Sequence, residues 1–201
     1  MSDRCIVIDF ETTGLSPGND RAIEVAAVVL DGGKVMDRFQ SLMNPGRRIP
    51  SFIESYTGIT NEMLADAPSN EKAMRNLASF IGKDPLVAHN ASFDRRFLDF
   101  ELEKAGKRPV EKMACSLLIS RRIYDKVANY KLQTLVEYKD LNVKGNYHRA
   151  LADAEVTALL WLQLSVDLEK KYKVPASYDF MHGFGKTPKA KLERFVSLYT
   201  M

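Results

Sequence analysis

The sequence predicts an α/β fold with a mixed sheet covered by helices. Two observations carry this. The first segments read as three strands in succession, and after them strands and helices alternate. Residues 4–10 form the first strand, with CIVI as its buried part. AIEVAAVVL and KVMDRFQSLM flank Asp31-Gly32-Gly33, a hairpin signal that makes the opening strands an antiparallel meander.

From Pro50 to Leu64 the chain is turn-rich with short helical potential. SNEKAMRNLASFIG follows as a helix, with Ser69 as N-cap and apolar residues at helical spacing. PLVAH is a short buried strand, and SFDRRFLDFELEKAG a helix closed by Gly106. MACSLLISRRIY starts as a strand and turns helical, KLQTLVEYKDL is a further helix, and the last long helix runs from about Arg149 to Tyr172. Pro175 to Pro188, rich in Gly, Pro and aromatics, reads as a linker before a short basic helix, KAKLERFVSLY. Within it Gly185-Lys186-Thr187 imitates the end of a phosphate-binding loop, but Phe180 stands where that motif needs Gly and no strand precedes it.

With 201 residues, 45% hydrophobic and 27% charged, the chain suits one globular domain with at most a small appendage. Two cysteines, Cys5 and Cys115, in apolar contexts exclude a disulfide framework and a zinc cluster, which fits a reducing cytosol. The start MSDRCIVIDF lacks the regions of a signal peptide, and no apolar run has the length of a membrane span, so a cytoplasmic protein with no membrane partner is expected. Of 29 basic and 26 acidic residues, 24 of each lie in 1–172; the net charge of +3 therefore sits in a basic extension, 173–201. Net charge alone does not point to nucleic acid. Arg47-Arg48, Arg95-Arg96 and Arg121-Arg122 are local pairs able to line a groove.

The chemistry lies in four acids. In CIVIDFETTG, Asp9 and Glu11 are one residue apart at a strand end, which aims both carboxylates at one face. Asp94 closes HNASFD at the start of a helix, and Asp153 closes HRALAD inside the last long helix, among Leu151, Ala152, Ala154 and Val156. Singly each has a plain structural reading: a turn or cap for Asp9, a helix-dipole contact for Asp94, an ion pair with Arg149 for Asp153. Together they form a converging set of carboxylates that repel unless hard cations neutralise them, and Mg²⁺ or Mn²⁺ suits such oxygen donors better than Zn²⁺. Two such ions about 4 Å apart would serve a phosphodiester displacement. His148 lies five residues before Asp153, roughly 500° around a helix, so the two do not share a helix face. His148 instead belongs to the preceding loop, with Gly145 and Asn146, as a general base.

DFETTG, HNASFD and HRALADAEVT, in that order, resemble the three motifs of the DnaQ-like 3′–5′ exonucleases, the class named for three Asp, one Glu and a His (DEDDh). YTGIT (Tyr56 to Thr60) matches an intervening feature, and the likeness covers roughly residues 4–165, especially to the proofreading epsilon type of DNA polymerase III and the exonuclease X type. The resemblance implies an RNase H-like core, a mixed five-stranded sheet with its first three strands antiparallel, over residues 1–172. It implies Asp9, Glu11 and Asp153 as metal ligands, Asp94 in the shell of a second divalent cation, His148 as general base, and nucleoside 5′-monophosphates as products. Thr12, Thr13, Gly14 and Leu15 match the seat of the terminal nucleotide, Ile59 a base contact, and Asn90 and Phe93 the support of the Asp94 loop. Thr57 stands where the epsilon type has a His.

The expected partner is nucleic acid, with 3′ ends of single-stranded DNA favoured by the epsilon and exonuclease X likeness. RNA is the alternative, since RNase T and oligoribonuclease share the five catalytic residue types. A non-catalytic binding module is the reading from another class, and no loss among the five residues supports it. The basic extension is a candidate surface for a polymerase or other protein partner, against the plain reading of a solvated helix.

Overall fold

The structure, a computed structural model, describes residues 3–141 and 149–200. Five strands form one sheet: β1 (Cys5–Thr12), β2 (Ala22–Asp31), β3 (Lys34–Leu42), β4 (Leu86–Ala88) and β5 (Met113–Cys115), in the order β3-β2-β1-β4-β5. β1–β2 and β2–β3 pair antiparallel, whereas β1–β4 and β4–β5 pair parallel. The mixed sheet expected from the sequence is thus present. The β2–β3 hairpin closes on Gly32 and Gly33, at φ 55° and 79°. Two consecutive positive φ values define the primed turn whose twist suits a hairpin.

Strand alternation sorts the core into two layers. Cys5 and Val7 of β1, with Ala26, Val28 and Leu30 of β2, face a layer containing Ala154, Leu160, Trp161 and Leu164 from the long helix α7 (Ala150–Tyr172). Ile6, Ile8 and Phe10 face the opposite layer, with Met74 and Leu77 of α3 (Asn70–Ile81) and Leu98 and Leu102 of α4 (Ala91–Lys104). α3 begins on Ser69, whose hydroxyl accepts from the Lys72 amide at 3.3 Å. A smaller cluster joins Ile23 and Ile49 to Ile53 of α1 (Ser51–Thr57), Ile59, and Leu64 of α2 (Asn61–Ala65).

α5 (Ser116–Ile123) follows β5 directly, and α6 (Leu132–Tyr138) leads toward the third motif. The linker read from Pro175 to Pro188 is instead helix α8 (Tyr178–Lys186), capped by Ser177 and followed by the short α9 (Leu192–Ser197). Propensity argues against a helix containing two glycines. Burial decides the matter: Phe180, Met181 and Phe184 have no accessible surface, and the Tyr178 hydroxyl donates to the Leu86 carbonyl at 2.7 Å. The glycines are packing residues, since a Cβ at Gly183 would lie 2.7 Å from the Phe195 ring and one at Gly185 3.2 Å from Ile119. The false phosphate-loop ending is therefore part of a buried helix.

Candidate active site

Asp9 and Glu11 occupy odd positions of β1, the same parity as Cys5 and Val7, so they point to the α7 side of the sheet. The core beneath them ends where these two acids begin, and both are half-buried. α7 comes up on that side with Asp153 in its first turn. Carboxylate oxygens of Asp9, Glu11 and Asp153 all lie within 4.8 Å of one another. This is the convergence expected from two motifs separated by about 140 residues of sequence.

Asp94 reaches the site from α4, also in a first turn, and is nearly enclosed at 3% exposure. Asn90 starts that helix at φ 63°, in the left-handed region that asparagine tolerates better than most residues. Its carbonyl accepts from the Phe93 amide at 2.8 Å, so a sharp turn passes directly from β4 into the helix. Phe93 is half-buried against Phe97, with ring centroids 5.1 Å apart. Asn90 itself is exposed.

Electrostatics shows what the arrangement favours. Burial, followed by the charges of Asp94, Glu11 and Asp153, pushes the Asp9 carboxyl well above the usual carboxylate range. Glu11 is pushed up to about 8, by burial first and then by Asp153 and Glu24. Burial raises Asp94 to about 7, against the pull of its own amide and that of Phe10. Carboxylates pushed toward their neutral forms by burial and, for Asp9 and Glu11, also by neighbouring carboxylates fit a site for hard divalent cations, with oxygen donors only.

The segment after β1 is a tightly bonded loop. The Thr12 hydroxyl donates to the Gly14 carbonyl at 2.6 Å, and the Thr13 hydroxyl to Asp20 at 3.3 Å. Asp20 also accepts from the Ser16 amide at 2.9 Å. A Cβ at Gly14 would lie 2.5 Å from the Asp20 carboxylate, which explains the glycine without any special backbone angle. Leu15 stands out at 73% exposure, an apolar side chain at the loop tip. Ile59, by contrast, has no accessible surface and lies within the small Ile23–Ile49–Ile53–Leu64 cluster. It is a core residue there, so the base contact expected of it has no exposed surface to use. His148 lies outside the described residues, as do Gly145 and Asn146.

Two glutamates with no accessible surface were missed in the sequence. Glu24 takes a two-pronged contact from Arg149 at 2.7 and 3.1 Å, together with the Ala150 amide at 3.0 Å. Arg149 thus makes its two-pronged contact across the fold, with β2. Glu101 is held in the same way by Arg21, at 2.9 Å for both prongs, and by the Ala22 amide at 3.2 Å. A charge inside AIEVAAVVL was the available signal, because a buried charge requires a partner.

Comparison with known proteins agrees with this geometry. An exonuclease family model matches residues 6–161. The chain is 42% identical over 172 residues to the PolC-type DNA polymerase III of Bacillus subtilis (strain 168), covering 83% of this chain and 12% of that protein. It is 38% identical over 174 residues to the 3′-5′ exonuclease DinG of the same organism, covering 86% of this chain and 18% of that one. The chain therefore spans under a fifth of the length of these relatives. Among solved structures, exonuclease X in complex with 5′ overhanging duplex DNA superimposes with a TM-score of 0.71 at 29% identity, covering 92% of this chain and 99% of that one. E. coli exonuclease I with a dT13 oligonucleotide shares the fold at a TM-score of 0.73 and 16% identity, covering 85% and 43%. With three acidic motifs in the expected order and a family match over most of its length, the chain belongs to the exonuclease family.

Proposed function

We propose that the chain is a 3′–5′ exonuclease that removes terminal nucleotides from single-stranded DNA in preference to RNA, releasing nucleoside 5′-monophosphates. The observation that carries this is the meeting of Asp9, Glu11 and Asp153 within 4.8 Å, beside the buried Asp94. Asp9, Glu11 and Asp153 would hold a pair of divalent cations, Mg²⁺ or Mn²⁺, with Asp94 completing the surroundings of the second. When bound, such cations supply charge neutralisation at the scissile phosphate and at the attacking and leaving oxygens.

The chain's own residues supply the remainder. The Thr12–Leu15 loop orients the terminal nucleotide, with Leu15 offering an apolar surface to a base. His148 accepts a proton as a water oxygen attacks the terminal phosphorus. The bond between phosphorus and the 3′-oxygen breaks, its electron pair and a proton go to that oxygen, and the released nucleotide keeps its 5′-phosphate.

DNA is favoured because the solved relative at 29% identity is bound to DNA and the curated relatives at 42% and 38% are a DNA polymerase and DinG. A polymerase context has the PolC likeness as its support, and the extension 173–201 as its candidate surface, with Leu198 exposed at 74%. The test uses 5′-labelled DNA and RNA oligomers of one sequence with Mg²⁺ or Mn²⁺. A ladder shortening from the 3′ end, faster on DNA and abolished by chelator, is expected. Faster cutting of RNA would reverse the substrate preference, and no cutting with either metal would remove the enzymatic reading.

A further inference from the structure

The two buried glutamates occupy equivalent roles at neighbouring points of the site. Glu24 is the cross-strand partner of Glu11. Its carboxylate, with no accessible surface, also takes a 2.8 Å hydrogen bond from the Gln40 amide. Its cation, Arg149, is the residue from which α7 starts, and the Arg149 carbonyl accepts from the Asp153 amide at 3.0 Å. One carboxylate therefore ties the strand opposite Glu11 to the helical turn that carries Asp153. Arg149, Ala150 and Asp153 lie within a single turn, so a shift at Glu24 is passed to Asp153 through backbone alone.

Glu101, on α4, does the same for the loop after β1. Besides Arg21 and the Ala22 amide, it accepts from Asn70 at 3.0 Å. The Arg21 amide donates to the Thr13 hydroxyl at 3.1 Å, and the Arg21 carbonyl accepts from the Thr13 amide at 2.9 Å. Arg21 lies beside Asp20, whose carboxylate holds Thr13 and Ser16. The second ion pair thus fixes the seat of the nucleotide, and among the described residues none of its hydrogen bonds runs to α7.

Buried ion pairs contribute little net stability compared with apolar packing of the same volume, whereas their fork geometry sets position closely. We infer that Glu24–Arg149 is a positioning clamp for the cation-holding carboxylates and Glu101–Arg21 a separate positioning clamp for the nucleotide seat. Cation affinity and substrate affinity are then set by different buried pairs. This inference rests on the exonuclease reading of the site, and its test keeps the two apart.

The experiment compares Glu24→Gln and Arg149→Lys with Glu101→Gln and Arg21→Lys in the full chain. Mn²⁺ affinity is measured by calorimetry without substrate, KM and kcat on a single-stranded DNA oligomer at saturating Mn²⁺, and folding by circular dichroism. Glu24→Gln and Arg149→Lys are expected to weaken Mn²⁺ binding by about 10–100-fold, the range for residues that orient metal ligands. Glu101→Gln and Arg21→Lys should leave Mn²⁺ affinity within about twofold and raise KM more than they lower kcat. Should Glu24→Gln not fold, Arg149→Lys decides, because the Arg149 side chain is 37% exposed and accommodates a lysine. Unchanged Mn²⁺ affinity in Arg149→Lys, or the same pattern of losses from both clamps, overturns the inference while leaving the exonuclease reading intact. Absence of Mn²⁺ binding by the unaltered protein overturns that reading, and the clamps with it.

Discussion

Glu11 and Glu24 face each other across β1 and β2, and their carboxylates meet opposite fates. Like charges directly opposed on an antiparallel pair destabilise it. Glu24 is neutralised by Arg149, whereas Glu11 is left in the acidic cluster and pushed up to about 8, by burial first and then by Asp153 and Glu24. The protein keeps an unfavourable charge at Glu11 beside a satisfied one at Glu24. Glu11→Gln is expected to stabilise the protein in chelator by about 1–3 kcal/mol, because it removes a repelled carboxylate. The same variant should lose the stabilisation that Mn²⁺ gives the unaltered protein. Urea midpoints with chelator and with Mn²⁺ check both, and a destabilised Glu11→Gln in chelator would count against the repulsion described here.

The roles of Asp9 and His148 separate by what each removes. Asp9→Ala takes away a carboxylate that meets Glu11 and Asp153, so Mn²⁺ binding should fail outright. On the proposed role of His148 as proton acceptor, His148→Ala should lower kcat by about 10²–10⁴-fold with Mn²⁺ and oligonucleotide affinity kept. Calorimetry and single-turnover rates on both variants are the measurement. Equal losses of metal affinity would merge the two roles.

Much of the site was legible because strand parity and motif order are local properties. Asp9 and Glu11 could be placed on one face from their spacing, and the structure adds which face by showing Val7 packed toward α7. The contact of Arg149 with Glu24 escaped the sequence for the complementary reason. Glu24 lies 125 residues away, and helical spacing exposes only partners within a turn. Helix α8 was missed because its stability comes from burying Phe180 and Phe184, not from the propensity of its glycine-containing sequence.

The site loop also carries a pH dependence of folding. His89 has its ring between the Ser116 hydroxyl, 2.9 Å from Nδ1, and the Tyr130 carbonyl, 3.0 Å from Nε2. Nε2–H donates to the carbonyl, which leaves Nδ1 of the neutral ring to accept from the Ser116 hydroxyl. Burial, aided by Arg121, lowers its pKa to about 4, against the Tyr130 hydrogen bond. A depressed folded pKa stabilises the protein fully above the unfolded value near 6.5, and this is lost as pH falls toward 4. The loss amounts to about 3 kcal/mol over that window. His89→Gln should be less stable than the unaltered protein at pH 7.5, with the gap narrowing toward pH 5. Urea denaturation at both pH values measures it, and a constant gap would show that His89 does not titrate in this way.

Gly14 offers a test of the proposed nucleotide seat. A methyl there meets the Asp20 carboxylate at 2.5 Å, and that carboxylate is held by Thr13 and Ser16. Gly14→Ala should therefore displace Asp20 and loosen the loop, raising KM on single-stranded DNA by about tenfold with Mn²⁺ affinity unchanged. Adding Asp20→Ser should relieve the clash and recover part of the loss. If the double variant is worse by the sum of the two single effects, the contact is not the cause.

The extension after residue 173 is bonded into the body and is expected to be indispensable to it. Tyr178 packs on Trp161 with ring centroids 6.0 Å apart and donates to Leu86 in β4, a strand next to the catalytic one. Phe184 has no accessible surface and lies 5.4 Å from the Tyr172 ring. Phe184→Ala should cost about 3–5 kcal/mol, the range for a large aromatic removed from a core. Leu198→Ala, at an exposed position, should lie within about 0.5 kcal/mol of the unaltered protein. Deleting 174–201 should then impair folding before it impairs any docking role. Partner binding should accordingly be tested with Leu198→Ala, which leaves the core filled. A deletion variant with an unchanged urea midpoint would show instead that the extension contributes nothing to the body's stability.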